Sequence, residues 1–548
     1  MTAPPKLHPV DEDWTEASAR IGVNVDTLAG RARAVWRARD GMYRLALLMI
    51  SLVLALVAKA PTLTNHIIFI DEPIYLDQAM LVNTPERFVY AFLYRAETKF
   101  PLGLVPYLLA EWIDWQHALL ILHVFGLVAV VASIYLMLIF SNRAYGSVVP
   151  GLVACVAWCL YLTRYTITAA VLLEYFQIPL LLGGAVILVH GRKDGRWNLL
   201  AVCGTGLLVG LAALVKPPAI LLAGPIVLLL LVTAGTWRER LQCLIVACTA
   251  AAMPIGVSVA PYLFRPDALA ALRLGLLDLP RWYSSDGRVG PLGKVFDMLR
   301  GAGLPFVGWI ALATVAFAAA RVVRRAEGHW PRTAVIDAFL LLTAVMLFLG
   351  YSVGQYKQHY LIPILPFAFL FACHALPEGF RGVRSARSRL TSAAFVWLVL
   401  LLALSVSIPT YGALLTDHGQ RYAADFNVDV TALSRYIKTH SAATDTIWVY
   451  YNAPEVYWLA DRRSATDDPP ASWLIDLYDP FWFNHVYNQL AANRPAIIVG
   501  FDQPRAPRPW AGALLEIPRV GDLVRARYDC SAGLIAHTTV CRLKAAPS

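Results

Sequence analysis

Ile70-Asp71-Glu72-Pro73-Ile74-Tyr75-Leu76-Asp77 stands a few residues beyond the first long apolar run, Tyr43 to Pro61. Two adjacent carboxylates just past a membrane span are costly unless they face water or a polar cavity. In such a place a carboxylate can accept a proton, bind a cation or pair with a base. Pro73 disfavours helix at Glu72, so the expectation is an extended turn that sets Asp71 at the lip of a cavity before a new helix begins. The other reading is that both acids charge the first turn of that helix, where the macrodipole favours them.

Around this stretch the chain of 548 residues is 58% apolar and only 15% charged. Uncharged runs of about 20 residues recur, which makes it a polytopic α-helical membrane protein. The net charge of +10 does not indicate nucleic acid, because Lys and Arg sit between apolar runs and not on one face. The first forty residues are polar and Arg-rich, without the apolar core of a cleavable signal peptide. They read as a cytoplasmic basic tail (1–42), able to form a short amphipathic helix on the membrane surface.

The apolar runs place spans at 43–61, 117–140, 146–163, 170–190, 197–215, 218–235, 241–263, 301–320, 333–352, 359–377 and 391–410. With the tail inside, the strongly basic connectors (Arg143; Arg192, Lys193 and Arg196; Arg238 and Arg240; Arg321 to Arg332; Arg381 to Arg389) fall on one side. About eleven spans satisfy that bias. The membrane domain is then 43–410, and its first outer loop, 62–116, holds the acidic stretch and half-apolar pieces such as Arg87–Tyr94 that read as interfacial helices. A second outer loop, 264–300, contains Arg265, Arg273, Arg281, Lys294 and Arg300, which is basic for an outer loop and hints at an anionic ligand.

Residues 411–548 read as a small outer α/β domain. A helix at Val430–Thr439 precedes the strand candidate Thr446–Tyr451, and a second helix–strand unit ends at Ala496–Gly500. Cys155, Cys159, Cys203, Cys243, Cys248 and Cys373 lie in or beside spans, as apolar fillers. Cys530 and Cys541 have the spacing of a two-strand hairpin and are bridged if that side is oxidising.

Few other polar residues lie at the outer membrane face. Glu174, in an apolar surrounding, faces a cavity or pairs with a cation such as Arg164. Lys99 ends the first interfacial segment, and Lys216 sits in a turn between two spans, where it snorkels to headgroups or meets an anion. Gln355 to Pro363 gathers donors, among them Lys357 and His359, at the outer mouth of a span or forms an interfacial belt. Several cations beside a carboxylate pair favour a phosphate-bearing lipid, with the acid acting on a second substrate. His123 and His190 read as lone span residues. No metal-ligand spacing, nucleotide-binding glycine loop or nucleophile elbow occurs, so the activated donor is expected in the membrane.

In order along nearly the whole chain, these pieces resemble the GT-C glycosyltransferases, nearest the aminoarabinose-transferase and protein O-mannosyltransferase branch. The Asp71-Glu72 pair followed by Tyr75 is similar to that family's acidic motif. Lys99-Phe100-Pro101-Leu102 resembles its Lys-Pro-Pro-Leu segment with Phe for the first Pro, and Leu214-Val215-Lys216-Pro217 its Leu-Thr-Lys-Gly turn. Tyr360-Leu361-Ile362-Pro363-Ile364-Leu365-Pro366 resembles its Tyr-x-x-Pro-x-x-Pro span. Arg164 to Glu174 is similar to its Arg-to-acid stretch, with Glu where Asp is usual, and Pro454 to Arg463 to a piece of bacterial members' C-terminal domains.

The resemblance implies transfer of a single hexosyl or pentosyl unit, with inversion, from a polyprenyl-phosphate donor to a hydroxyl at the periplasmic face of a bacterial inner membrane. Asp71 would be the general base and Glu72 would orient Asp71 or the sugar. Glu174, Tyr75, Arg164 and Tyr360 would bind substrate. Lys99, with Lys216, Lys357 and Arg281, would neutralise the leaving phosphate. The monosaccharide branch implies no cofactor, although oligosaccharide-transferring relatives hold a divalent metal. A glycolipid acceptor (lipid A, lipopolysaccharide core or similar) fits the modest outer domain. A secreted protein acceptor and a flippase for lipid-linked sugars are the competing readings, and a monomer is the default.

Overall fold

The computed structural model describes residues 25–65, 67–69, 71–94, 99–193, 196–278, 291–324, 332–352, 358–381, 386–416, 429–450, 453–466, 480–501 and 514–545. The chain divides into two compact units, 1–53 and 54–548. In the first, the described part is helical from Val25, and Ser51 bonds back to the Leu47 carbonyl at 2.8 Å, an internal satisfaction that helices in lipid require.

Among the described residues, five helices are long and apolar enough to cross a membrane: Gly41–Thr62, Trp115–Tyr145, Leu173–His190, Trp237–Phe264 and Arg332–Ser352. Val295–Ala302 and Leu304–Ala319 qualify together, bent by 103°. The other predicted spans coincide with shorter apolar helices: Val149–Leu162, Leu199–Val215, Pro217–Thr233, Leu365–Pro377 and Trp397–Ala413. Proline sets several of these limits, as where Pro217 stops a helix at Lys216 and leaves that residue extended. Large apolar side chains such as Val57, Val128, Val232, Ile245, Val257 and Leu401 lie exposed on helix surfaces, as a lipid solvent demands.

Small residues let two of these helices approach closely. A Cβ added to Gly206 or Gly210 of Leu199–Val215 would collide with the Ala247 or Ala251 carbonyl of Trp237–Val259. That four-residue spacing of small side chains packs helices by close backbone contact, since lipid offers no hydrophobic drive.

The first loop contains the helix Asp71–Leu81, short helices Pro85–Val89 and Ala91–Tyr94, and the apolar helix Val105–Ile113. Among the described residues, apart from the short β1 (Arg192–Lys193) and β2 (Arg196–Trp197) ribbon, the strands gather at the C-terminal end. They are β3 (Thr446–Val449), β4 (Arg463–Ser464), β5 (Ile497–Phe501), β6 (Tyr528–Ala532) and β7 (Thr538–Leu543), in the order β4-β3-β5-β7-β6. β3 is parallel to β4 and β5, and β7 is antiparallel to β5 and β6.

Alternation along β3 and β5 sorts the core into two layers. Ile447, Val449, Ile497 and Val499 pack against Leu433, Ile437 and Val456, on helices Val430–His440 and Glu455–Ala460. Trp448, Tyr450 and Ile498 pack against Val486, Leu490 and Val524, on helices Pro480–Asn493 and Val520–Arg527. A sheet covered on both faces is what its buried apolar runs require. Cys530 and Cys541 are partners across the β6–β7 hairpin and are joined by a disulfide.

This α/β part sits on the first loop. The Trp115 and Trp458 rings lie 4.4 Å apart, and Trp115 Nε1 donates to Asp461 at 3.2 Å. Glu455, fully buried at the start of its helix, acts on the buried Asp77 carboxyl of helix Asp71–Leu81.

Candidate active site

Asp71 and Glu72 are the first two residues of helix Asp71–Leu81. The extended turn expected before Pro73 is not formed. Proline in a first turn removes an N–H that would have no intrahelical partner anyway, so Pro73 is accommodated there, and the two acids meet the positive end of the dipole. Asp71 is half-buried, whereas Glu72 is completely enclosed.

The Glu72 carboxylate faces inward. Its Oε2 accepts from the Ile68 and Phe69 N–H groups at 2.8 and 3.3 Å, and its Oε1 accepts from Val171 N–H at 2.8 Å. His123 Nε2 lies 3.0 Å from the same Oε1. Burial alone would push this carboxyl up, but His123 and the backbone N–H bonds outweigh it and hold it below the usual carboxylate range. His123 is therefore not a lone span residue: the buried acid needed a partner, and the span Trp115–Tyr145 supplies it.

Tyr75 lies four residues from Asp71, on the same helix face. Lys99 Nζ donates to its hydroxyl at 2.8 Å, and the Tyr75 ring meets that of Tyr107 edge-on at 5.2 Å. The charges of Glu72, Glu174 and Asp71 all act on the Tyr107 hydroxyl, which itself donates to the Val171 carbonyl at 2.9 Å.

The segment between helices Val149–Leu162 and Leu173–His190 joins the two halves of the site. Lys59 donates to the Ala169 carbonyl and lies 4.6 Å from the Tyr175 ring centroid, while Val171 is held at its N–H by Glu72 and at its carbonyl by Tyr107. Glu174 follows in the first turn of the next helix. Two helix N-termini thus bring acids to the same end of one pinned loop, Glu72 at Val171 and Glu174 three residues on.

Glu174 pairs with Lys216 and not with Arg164. Lys216 does not snorkel: it is buried, its ammonium 4.2 Å from the centre of the Tyr360 ring. Its extended backbone leaves its carbonyl to accept from Gln177 at 2.8 Å, and Gln177 in turn receives the Tyr351 hydroxyl at 2.5 Å. His359 Nε2 stands 3.5 Å from Glu174 Oε1, whereas the buried Oε2 has no hydrogen-bond partner among the described residues. Lys99 and Asp71 also act on the Lys216 charge, so the two carboxylate clusters and both lysines belong to one site.

Arg164 serves another place. Its Nη1 donates to the Ala302 carbonyl at 3.0 Å, and Tyr165 donates to Gly301 at 3.1 Å, where the chain bends before Leu304. Gly303 has φ +92°, and a Cβ there would collide with the guanidinium. Arg164 anchors the bend through the Ala302 carbonyl and so is held away from Glu174. Lys357 and Arg281 lie outside the described residues.

Sequence reasoning passed over Lys59 and Tyr107, and read His123 as a lone span residue where it is the partner of Glu72. A lysine in the last turn of an apolar span is itself a signal, since it must find a polar partner there. Among the described residues, no three His, Cys, Asp or Glu side chains converge as a metal-binding set.

No family profile and no curated protein matches the chain. Among solved structures, ArnT from Cupriavidus metallidurans bound to undecaprenyl phosphate is similar over 92% of this chain and 99% of that one, at 12% identity and a TM-score of 0.60. The apo state of the same protein is similar over 93% and 100%, at 14% identity and a TM-score of 0.57. Identity this low speaks to architecture alone, and the architecture extends over nearly the full length of both chains: this chain has the fold of that ArnT.

Proposed function

We propose that this chain moves one sugar from a polyprenyl-phosphate carrier to a hydroxyl of a cell-envelope glycolipid, with inversion, at the outer face of a bacterial inner membrane. The observation that supports it most is a half-buried carboxylate, Asp71, at a helix N-terminus in a site shared with Lys99 and Lys216. Its fold is similar to that of a protein whose structure holds undecaprenyl phosphate. In this reading the chain crosses about eleven times, the basic tail is cytoplasmic, and residues 62–116 and 411–548 are periplasmic.

Asp71 accepts the proton of the acceptor hydroxyl as its oxygen bonds to the anomeric carbon. The bond from that carbon to the phosphate oxygen breaks on the opposite face, and polyprenyl phosphate leaves with the electron pair. Lys99, held by Tyr75, neutralises the charge that develops on the phosphate, with Lys216 behind it. The free Oε2 of Glu174 receives a sugar or acceptor hydroxyl. Glu72 anchors the loop, its oxygens already occupied by N–H groups and His123. With those lone pairs engaged, the reaction is assigned without a divalent metal, and EDTA should leave transfer unchanged.

The test is transfer by purified protein in detergent from radiolabelled polyprenyl-phosphate sugars to envelope lipid extract. Label should pass to glycolipid and be nearly lost with Asp71→Asn. Equal transfer by that variant would remove Asp71 as the base. Label passing instead to protein would make the acceptor a polypeptide. Carrier binding without transfer would favour translocation of the lipid-linked sugar.

A further inference from the structure

Adjacent carboxylates ordinarily disturb each other, because the second ionisation is opposed by the first. The surroundings of Glu72 counter this. His123 is as fully buried as Glu72, and its Nδ1 lies 2.6 Å from the Thr64 carbonyl. A carbonyl only accepts, so Nδ1 bears a proton. Glu72, with three backbone N–H groups aimed at its oxygens, is stabilised as the anion. Nε2 must then donate as well, and the ring is an imidazolium.

We propose that His123 is a positioning residue that cancels the charge of Glu72, so that Asp71 works without an unbalanced carboxylate beside it. This rests on the transfer reading above and deepens it. Among the described residues, the other charged and titratable groups facing Glu72 are Lys59 from the first helix, Tyr107 from the apolar loop helix and Tyr175 from helix Leu173–His190, with Asp71 preceding it on its own helix. Lys59 donates its hydrogen bond to the Ala169 carbonyl and not to the carboxylate, and the two phenols are neutral in the working range. Among the described residues, His123 is the one group that both touches Glu72 and carries compensating charge. Its removal leaves a buried anion next to the base and raises the affinity of Asp71 for a proton.

The experiment is the pH profile of kcat/KM for transfer, measured on the full chain in detergent for wild type, His123→Gln and the double variant His123→Gln/Glu72→Gln. The acidic limb should move upward by about one pH unit in His123→Gln and return to the wild-type position in the double variant, where both charges are gone. A histidine that merely fills space would lower the rate without moving the limb, and Glu72→Gln would not restore it. An unmoved limb in His123→Gln, or one still displaced in the double variant, overturns the proposal. If His123→Gln yields no folded protein, a folded double variant with a wild-type limb supports it and a double variant equally lost overturns it. Wild type that transfers no sugar to lipid or protein overturns the transfer reading itself. The charge pairing is then judged by thermal stability, the double variant exceeding His123→Gln if it is correct.

Discussion

Lys216 and Glu174 form an ion pair with both side chains nearly removed from solvent, at 7% and 1% exposure. Taking two charges out of water costs several kcal/mol per ion, so each is tolerated because the other is present. Removing one partner, as in Lys216→Met or Glu174→Gln, should destabilise the protein by about 3–5 kcal/mol. The double substitution should recover much of that loss. Thermal unfolding of the four proteins in detergent gives the cycle; strictly additive losses would mean the pair is not coupled.

Lys99 differs, being half-buried and held at the Tyr75 hydroxyl. A cation placed to meet charge that appears only during reaction acts on kcat, so Lys99→Met should lower kcat by about 10²–10³-fold. Tyr75→Phe leaves the ammonium but removes the hydroxyl that aims it, and a loss of about ten-fold is expected. Equal effects of both on KM alone, with kcat preserved, would assign Lys99 to ground-state binding.

What the sequence discloses of this site follows from the distance over which its interactions act. The strand Thr446–Val449 is legible because Ile447 and Val449 alternate with Trp448 and Tyr450 between two cores, a period written in adjacent residues. The apolar runs disclose the helices for the same reason. Glu72, Glu174 and Lys216 announce that they need partners, but the partner is a tertiary fact: His123 lies 51 residues from Glu72, and Lys216 lies 42 from Glu174. Arg164 was the nearer cation in sequence and is the wrong one, since the Gly303 bend occupies it. Pro73 misleads because its restriction on Glu72 is a preference that the first turn of helix Asp71–Leu81 overrides, where the missing proline N–H costs nothing.

The disulfide closes a short hairpin, its cysteines separated by 11 residues, and Cys541 belongs to the core beneath Trp448 and Val524. Restricting the unfolded chain over a loop of this size is worth about 2–4 kcal/mol. The Cys530→Ser/Cys541→Ser variant should therefore expose the C-terminal part to protease at lower temperature, while transfer at assay temperature persists. Unchanged cleavage would mean that the sheet packing suffices without the bridge.

Asp77, two turns beyond Asp71 on the same helix, is 2% exposed, and neither carboxyl oxygen has a hydrogen-bond partner among the described residues. Burial, and then the neighbouring Glu455, push its carboxyl well above the ordinary range. Burial, and then Asp77, do the same to Glu111, against the opposing charge of Arg463. A folded-state pKa raised in this way has a definite sign: its stabilising contribution is complete below the ordinary carboxylate range and is lost as pH rises through the raised value. The junction between the first loop and the α/β part should loosen on the alkaline side. Asp77→Asn cannot ionise, so it should flatten this dependence and hold the midpoint higher at alkaline pH. Thermal unfolding of wild type and variant in detergent, followed from mildly acidic to alkaline pH, reads the difference directly. Curves that converge at low pH and separate at high pH are expected, whereas parallel curves would show that Asp77 keeps the same protonation state folded and unfolded.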